Sequence, residues 1–124
     1  MTILQVKDKL QALKPHAYEA SEVVAWLSTV EGRVYAELIQ THANDDLIVF
    51  AGYTAETPDS TLLIAPEPYD ELYLYYLMMQ VDLHNMELDK YNNSLTLYKE
   101  AWNAFARFWN RTYLPVQTIT HFAL

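Results

Sequence analysis

Few side chains in this sequence have the surroundings that covalent chemistry requires. The chain has no cysteine, and its four serines lie outside any Gly-x-Ser-x-Gly turn, the motif that exposes a nucleophilic serine in many hydrolases. It has only two glycines, Gly32 and Gly52, whereas a phosphate-binding loop needs clustered glycines to expose several backbone amides. We therefore predict no catalytic residue and no cofactor-binding residue.

The histidines do not have the spacing of metal ligands. His16, His42, His84 and His121 lie far apart, and none belongs to a His-x-x-x-His or Glu-x-x-His pair that would place two ligands on one helical face. His84 and Glu87 come nearest, but a helix break is predicted between them and no second pair accompanies them. The sequence predicts no metal ligand, and we expect a protein that is not an enzyme.

The charge of the chain is acidic and unevenly distributed. The net charge is −8, and no Lys or Arg lies between Arg33 and Lys90, a stretch that is rich in Asp and Glu. Such a surface repels phosphates. We predict no specific binding to nucleic acid.

Membrane insertion and secretion are not predicted either. The longest apolar run, Leu72–Met79, is far shorter than the ~20 residues of a membrane-spanning helix. Residues 1–13 mix charged and apolar side chains, unlike a secretory signal peptide. The absence of cysteine suits a reducing compartment. These features favour a protein of the cell interior with no membrane partner.

Hydrophobic periodicity predicts one mainly all-α domain over residues 1–124. Apolar residues recur at helical spacing in four segments, at about 2–14, 22–42, 67–84 and 88–114. Thr2 and Ser21 are good N-caps for the first two predicted helices, and Pro15 and Pro115 are expected to end the first and the fourth. Pro68 is expected in the first turn of the third.

The segment between the second and third predicted helices lacks helical periodicity. Residues 43–66 contain two β-prone stretches, Leu47–Phe50 and Thr61–Ile64, and are predicted to form a β-hairpin or a long ordered loop. Gly32 lies inside the second predicted helix, where we favour a close helix crossing over a local bend. Residues 115–124 are predicted to be a C-terminal tail or a docking strand.

The last two predicted helices carry the candidate interaction surfaces. The third is apolar on every side, so it is either wrapped by its own domain or shared with a second chain. The fourth has an apolar stripe at heptad spacing, which we expect to be core, and a separate polar stripe. The candidate interface residues are Tyr73, Tyr75, Tyr76, Met78, Met79, Arg107 and Arg111.

Several stretches of the chain resemble a known family, the small proteins encoded in the head-to-tail module of tailed phages and prophages. The resemblance extends over most of the chain. It rests on Trp26–Leu27 with Glu31–Val34, Pro66–Leu77, Asp89–Ser94, Phe105–Arg107 and Arg111–Pro115.

The resemblance implies a four-helix head-tail connector, also called an adaptor or head-completion protein. Such subunits form a homo-oligomeric ring beneath the portal and join the filled head to the tail, and they are not enzymes. Portal and tail proteins would then be the partners, and the host cytoplasm during assembly, then the virion, the location. The alternative is a small helical regulatory or immunity-type module that binds one protein as a monomer or dimer.

Overall fold

The computed structural model describes residues 1–44 and 47–116, which contain four α-helices. These are α1 (Ile3–Leu13), α2 (Ala20–Val34), α3 (Glu71–His84) and α4 (Leu88–Thr112), with a π-helical turn at Tyr35–Ile39 that continues α2. The mainly helical class is confirmed. The β-hairpin is not formed, because the described residues of 43–66 contain no strand and form a long loop. Two isolated β-bridges join Thr2 to Leu62 and His42 to Pro115.

Helix α1 begins as its sequence predicts. The Thr2 side chain accepts a hydrogen bond from the Gln5 backbone N–H, and the Gln5 side chain accepts one from the Thr2 N–H, so both ends of a capping box are present. Ile3, Val6 and Leu10 are buried against the core. Leu13, the last residue of the predicted apolar stripe, is 61% exposed because α1 ends there.

Helix α2 begins earlier than predicted. Glu19 is the N-cap and its carbonyl accepts hydrogen bonds from the N–H groups of Glu22 and Val23, so Ser21 lies inside the helix and caps nothing.

The explanation that we favoured for Gly32, a close helix crossing, is wrong. A Cβ at Gly32 would lie 3.6 Å from the Phe50 ring, so the glycine faces the loop and not a crossing helix.

Helix α3 begins later than predicted. Residues 66–70 form successive turns, in which the N–H of Tyr69 donates to the Pro66 carbonyl at 2.8 Å, and the helix starts only at Glu71. Pro68 therefore precedes the first helical turn. The helix ends at His84, with Asn85 as its C-cap, where the sequence predicts a break.

Helix α3 is the centre of the fold and contacts α1, α2 and α4. Helix α4 runs antiparallel to it: the Ser94 hydroxyl donates to Asp82 near the end of α3, and the ring of Phe105 lies 6.1 Å from that of Tyr69 just before its start. The predicted heptad stripe of α4 is core only in part. Tyr98, Phe105 and Trp109 are buried, Trp102 is partly buried, and Leu88 at the start is 61% exposed.

Candidate protein-interaction surfaces

The structure divides the predicted interface residues of α3 between the core and the surface. Tyr73, Tyr76 and Met79 are buried inside the subunit, because α1, α2 and α4 surround this helix. These three residues do not form an exposed interface, and of the two alternatives for α3 the structure shows the wrapped helix. Tyr75 and Met78 are partly exposed.

Arg107 and Arg111 are the other predicted interface residues. Both are exposed on α4, and a spacing of four residues places them on the same helical face. Within residues 1–44 and 47–116 neither arginine forms an ion pair. Leu114 and Val116, which follow α4, are also exposed, so the end of this helix offers both positive charge and apolar surface.

Three large apolar side chains of the long loop are largely exposed. Leu47, Val49 and Leu62, which we call the loop surface, are 79%, 80% and 72% exposed. Exposure alternates from Leu47 to Phe50, since Ile48 and Phe50 are partly buried and pack on the fold. This part of the loop therefore has one side on the fold and an apolar side in solvent.

The loop is held in place by a buried carboxylate on α2. Glu31 has no solvent exposure, and three neutral donors converge on it. The Tyr73 hydroxyl donates to Oε1 at 2.6 Å, while the Tyr53 hydroxyl and the Ile64 N–H donate to Oε2 at 2.8 and 2.9 Å. Tyr73 also accepts from the Ala65 N–H at 2.8 Å. Glu31 thus links α2, α3 and both arms of the loop.

Burial governs the protonation of this cluster. Desolvation raises the pKa of Glu31 above its ordinary value, and the three hydrogen bonds offset only part of that rise. The pKa values of Tyr53 and Tyr73 are raised as well, first by burial and then by the neighbouring Glu31 carboxylate. Both tyrosines therefore remain hydrogen-bond donors throughout the neutral range.

Further bonds fix the loop to the start of α1. The N–H groups of Ile3 and Leu4 donate to the carbonyls of Thr61 and Asp59 at 3.1 and 3.0 Å. Lys7 forms an ion pair with Asp59 at 2.9 Å. On the opposite arm, the Tyr53 N–H donates to the Ser28 hydroxyl at 3.0 Å. The exposed apolar side chains of the loop are therefore presented on a well-anchored backbone.

Replacing Glu31 with glutamine is expected to change how stability depends on pH. The raised pKa means that the folded chain binds this proton more tightly than the unfolded chain. The resulting stabilisation is full below the unfolded pKa of ~4.3 and is lost as pH rises through the folded pKa. In urea titrations, the unfolding free energy of the wild type relative to Glu31→Gln should therefore fall as the pH rises above ~4.3.

The exposed Glu37 provides the matched control for this measurement. Glu37→Gln also removes one carboxylate from the same helical segment, but from a side chain that lies in solvent. The two variants should therefore differ in the pH dependence of stability. Parallel profiles for Glu31→Gln and Glu37→Gln would contradict the buried, proton-binding role of Glu31.

A second surface feature is an open groove of about 700 Å³ between α2 and α4, with α3 as its floor; we call it the aromatic groove. The Arg33 guanidinium donates to the Tyr98 hydroxyl at 3.2 Å across it. This hydrogen bond raises the pKa of Arg33, which remains cationic. The groove is lined by Arg33, Glu37, Tyr76, Met79, Gln80, Tyr91, Leu95, Tyr98, Lys99, Trp102 and Asn103.

Three of the four histidines lie in described parts of the chain, and they make packing and hydrogen-bond contacts. The ring nitrogens of His42 lie 2.7 Å from the Leu38 carbonyl and 2.6 Å from Asn110 Oδ1. The His84 ring packs 4.9 Å from Trp26. Within residues 1–44 and 47–116, no group of three His, Asp or Glu side chains is placed to hold a metal ion. His121 lies outside the described residues.

Sequence reasoning missed Glu31, although a signal was present. Glu31 lies four residues after Leu27 and seven after Val24, so it belongs to the apolar face of α2. A carboxylate at such a position needs buried donors, and the tyrosine-rich composition supplies them. The burial of Asp82 inside the largely apolar α3 is a second example of the same kind.

In the parts of the chain that the structure describes, no helix has both the length and the apolar character needed to cross a bilayer.

Comparisons with known proteins do not place this chain in a family. No protein-family model, no curated protein and no solved structure matches the chain.

Proposed function

We propose that this protein is a structural subunit of a tailed phage or prophage, a head-tail connector that assembles into a ring between portal and tail. The observation that carries the proposal is the loop surface. Leu47, Val49 and Leu62 are largely exposed on a loop that Glu31 and the start of α1 hold in place. Val49 and Leu62 line the same open pocket, and exposed apolar surface on an ordered backbone is typical of protein-interaction sites.

The distribution of charge supports a head-to-tail arrangement of subunits. Arg107 and Arg111 lie on α4, whereas the chain between Arg33 and Lys90 carries no Lys or Arg. A surface that meets a different surface on the next copy generates a ring when the rotation closes. In the proposed ring, the arginines of one subunit face the acidic loop side of its neighbour. Complementary charges of this kind set register and association rate more than affinity.

The proposed partners are the portal on one side of the ring and tail proteins on the other. The acidic character of residues 34–89 suits a ring through which DNA passes without being held, since like charges repel. The protein would assemble in the host cytoplasm and remain in the virion. These roles follow from the family resemblance, and the loop surface supplies the contact that such a ring requires.

Adding a charge to the loop surface is expected to prevent ring formation. Val49 is 80% exposed, so Val49→Lys should leave subunit stability unchanged while placing an ammonium group in an apolar contact. The wild type, mixed with the portal protein of its phage, should form rings visible by mass photometry and negative-stain electron microscopy. Val49→Lys should remain a free subunit. The wild-type rings should form more slowly at high salt, because salt screens the charge contact.

Leu13→Lys is the matched control, because Leu13 is also a large exposed apolar residue but lies on α1, outside the loop surface. Rings from this variant and none from Val49→Lys would support the proposal. A wild-type protein that stays monomeric or dimeric with the portal would instead favour the regulatory or immunity-type module. Normal rings from Val49→Lys would remove the loop surface from the contact.

A further inference from the structure

One edge of the aromatic groove is a row of basic side chains. Lys99 and Asn103 line the groove on α4, and Arg107 and Arg111 continue the row at the same spacing of four residues. All four residues are exposed. Within residues 1–44 and 47–116, none of the three basic side chains forms an ion pair. This edge therefore offers positive charge that the subunit does not neutralise.

The rest of the groove combines a second cation with aromatic surface. Arg33, on the α2 side, is 48% exposed at its side chain although it donates to Tyr98. Among the lining residues Arg33 and Lys99 are basic and only Glu37 is acidic, so the groove is positive in a chain of net charge −8. Trp102 is partly exposed inside it. An occupant with one carboxylate and a small apolar surface matches this combination.

The tip of the long loop has this chemistry. Residues 54–58, which we call the loop tip, read Thr-Ala-Glu-Thr-Pro, and Ala55, Glu56 and Pro58 are exposed. Within the described residues Glu56 forms no ion pair. The Thr54 N–H donates to Thr57 Oγ1 at 2.8 Å, and the Glu56 N–H donates to Thr54 Oγ1 at 3.2 Å. The loop tip is thus an ordered turn that presents one carboxylate.

The long loop and the groove lie on different sides of α2. A Cβ at Gly32 would lie 3.6 Å from Phe50 of the loop. Ser28 accepts a hydrogen bond from the N–H of Tyr53, also in the loop. Arg33 is rotated by about 100° from Gly32 and about 140° from Ser28 around the helix axis. A loop tip that occupies the groove therefore comes from another copy of the chain.

We infer that the loop tip of one subunit binds in the aromatic groove of the next, with Glu56 facing Lys99 and Arg33. The contact joins two different surfaces, so it is heterologous and can be repeated from copy to copy around a ring. It rests on the proposed function, because it names the contact between neighbouring subunits of that ring. It also places the loop surface, which lies beside the loop tip, at the same junction.

Disulfide trapping between copies tests the inference, because the chain has no natural cysteine. Ala55→Cys marks the loop tip and Asn103→Cys marks the groove, and both variants keep the charged residues. The two full-length variants are mixed with the portal protein and mildly oxidised. Non-reducing electrophoresis and intact mass show which copies are joined. Asn93→Cys replaces Asn103→Cys in the control, since Asn93 is an exposed asparagine of α4 outside the groove.

Disulfides between Ala55→Cys and Asn103→Cys should form severalfold faster than those between Ala55→Cys and Asn93→Cys. Equal rates would overturn the inference, as would disulfides mainly between two copies of the same variant. Electron microscopy of the same mixtures reports on the ring separately. Rings without the tip-to-groove disulfide would contradict the inference alone. Tip-to-groove dimers that never form rings would support this contact and contradict the connector function.

A charge exchange tests the role of Glu56. Glu56→Lys added to Ala55→Cys should slow the disulfide with Asn103→Cys severalfold, and Lys99→Glu added to Asn103→Cys should do the same with unchanged Ala55→Cys. Mixing the two charge-reversed variants should restore much of the rate, because opposite charges then meet again. Equal rates in all four mixtures would contradict the pairing of Glu56 with the groove. Circular dichroism checks that each variant is folded.

Discussion

Phe105→Ala is expected to lower the free energy of unfolding by about 3–5 kcal/mol, as truncations of fully buried aromatic side chains do. Phe105 has no solvent exposure, and its ring packs 6.1 Å from Tyr69 and 5.7 Å from Trp109. Alanine would leave a cavity where α4 meets the start of α3. Chemical denaturation monitored by circular dichroism gives the value directly.

Trp102→Ala is the informative comparison for this measurement. Trp102 belongs to the same heptad stripe, and the sequence alone predicts a core residue there. The structure instead places it at the aromatic groove, where it is only partly buried. Its truncation should therefore cost clearly less than that of Phe105. Equal losses would contradict the partial burial of Trp102, whereas a loss below about 1 kcal/mol for Phe105→Ala would contradict the packing of α4.

Lys14→Met is expected to destabilise the fold by about 2–4 kcal/mol, because removing one partner of a buried ion pair leaves the other charge uncompensated. Asp82 on α3 is 1% exposed, and Lys14 Nζ lies 2.9 Å from its Oδ1. The Ser94 hydroxyl donates to Oδ2 at 2.7 Å. This cluster joins the end of α1 to α3 and α4, so its loss affects three helices.

Adding Asp82→Asn to Lys14→Met separates charge from packing. The asparagine keeps an acceptor for Ser94 but carries no charge, so the double variant should be more stable than Lys14→Met alone. Urea denaturation of the two single variants and the double variant completes the cycle. A double variant less stable than Lys14→Met would contradict the view that the uncompensated charge of Asp82 causes the loss of stability.

Short-range sequence patterns predict the structural features that depend only on residues close together in the chain. The Thr2 capping box, the break near Asn85 and the apolar faces of the helices follow from short-range spacing. Ser21 shows the limit of this reasoning. A serine is a good N-cap, but here the helix begins at Ala20 because the Glu19 carbonyl already accepts the first helical hydrogen bonds.

The spacing of residues in the sequence does not predict features that depend on tertiary contacts. Gly32 accommodates Phe50, a residue of the loop, and no periodicity links the two positions. Tyr73, Tyr76 and Met79 looked like interface residues because α3 is apolar on all sides, and their burial depends on three other helices that wrap it. The sequence predicts the loop surface only as β-prone segments. The hydrogen bonds that hold the loop join it to Glu31 and α1, which are distant in sequence.

The hydrogen bonds to Glu31 also affect the entropy that the protein loses when a partner binds its loop. Binding usually costs free energy when loops and side chains become ordered at an interface. In this protein the bonds from Ile64, Tyr53 and Tyr73 to Glu31 order the loop within the isolated subunit, during folding. A partner that binds Leu47, Val49 and Leu62 therefore meets a preorganised backbone, and more of the apolar contact energy remains available as affinity.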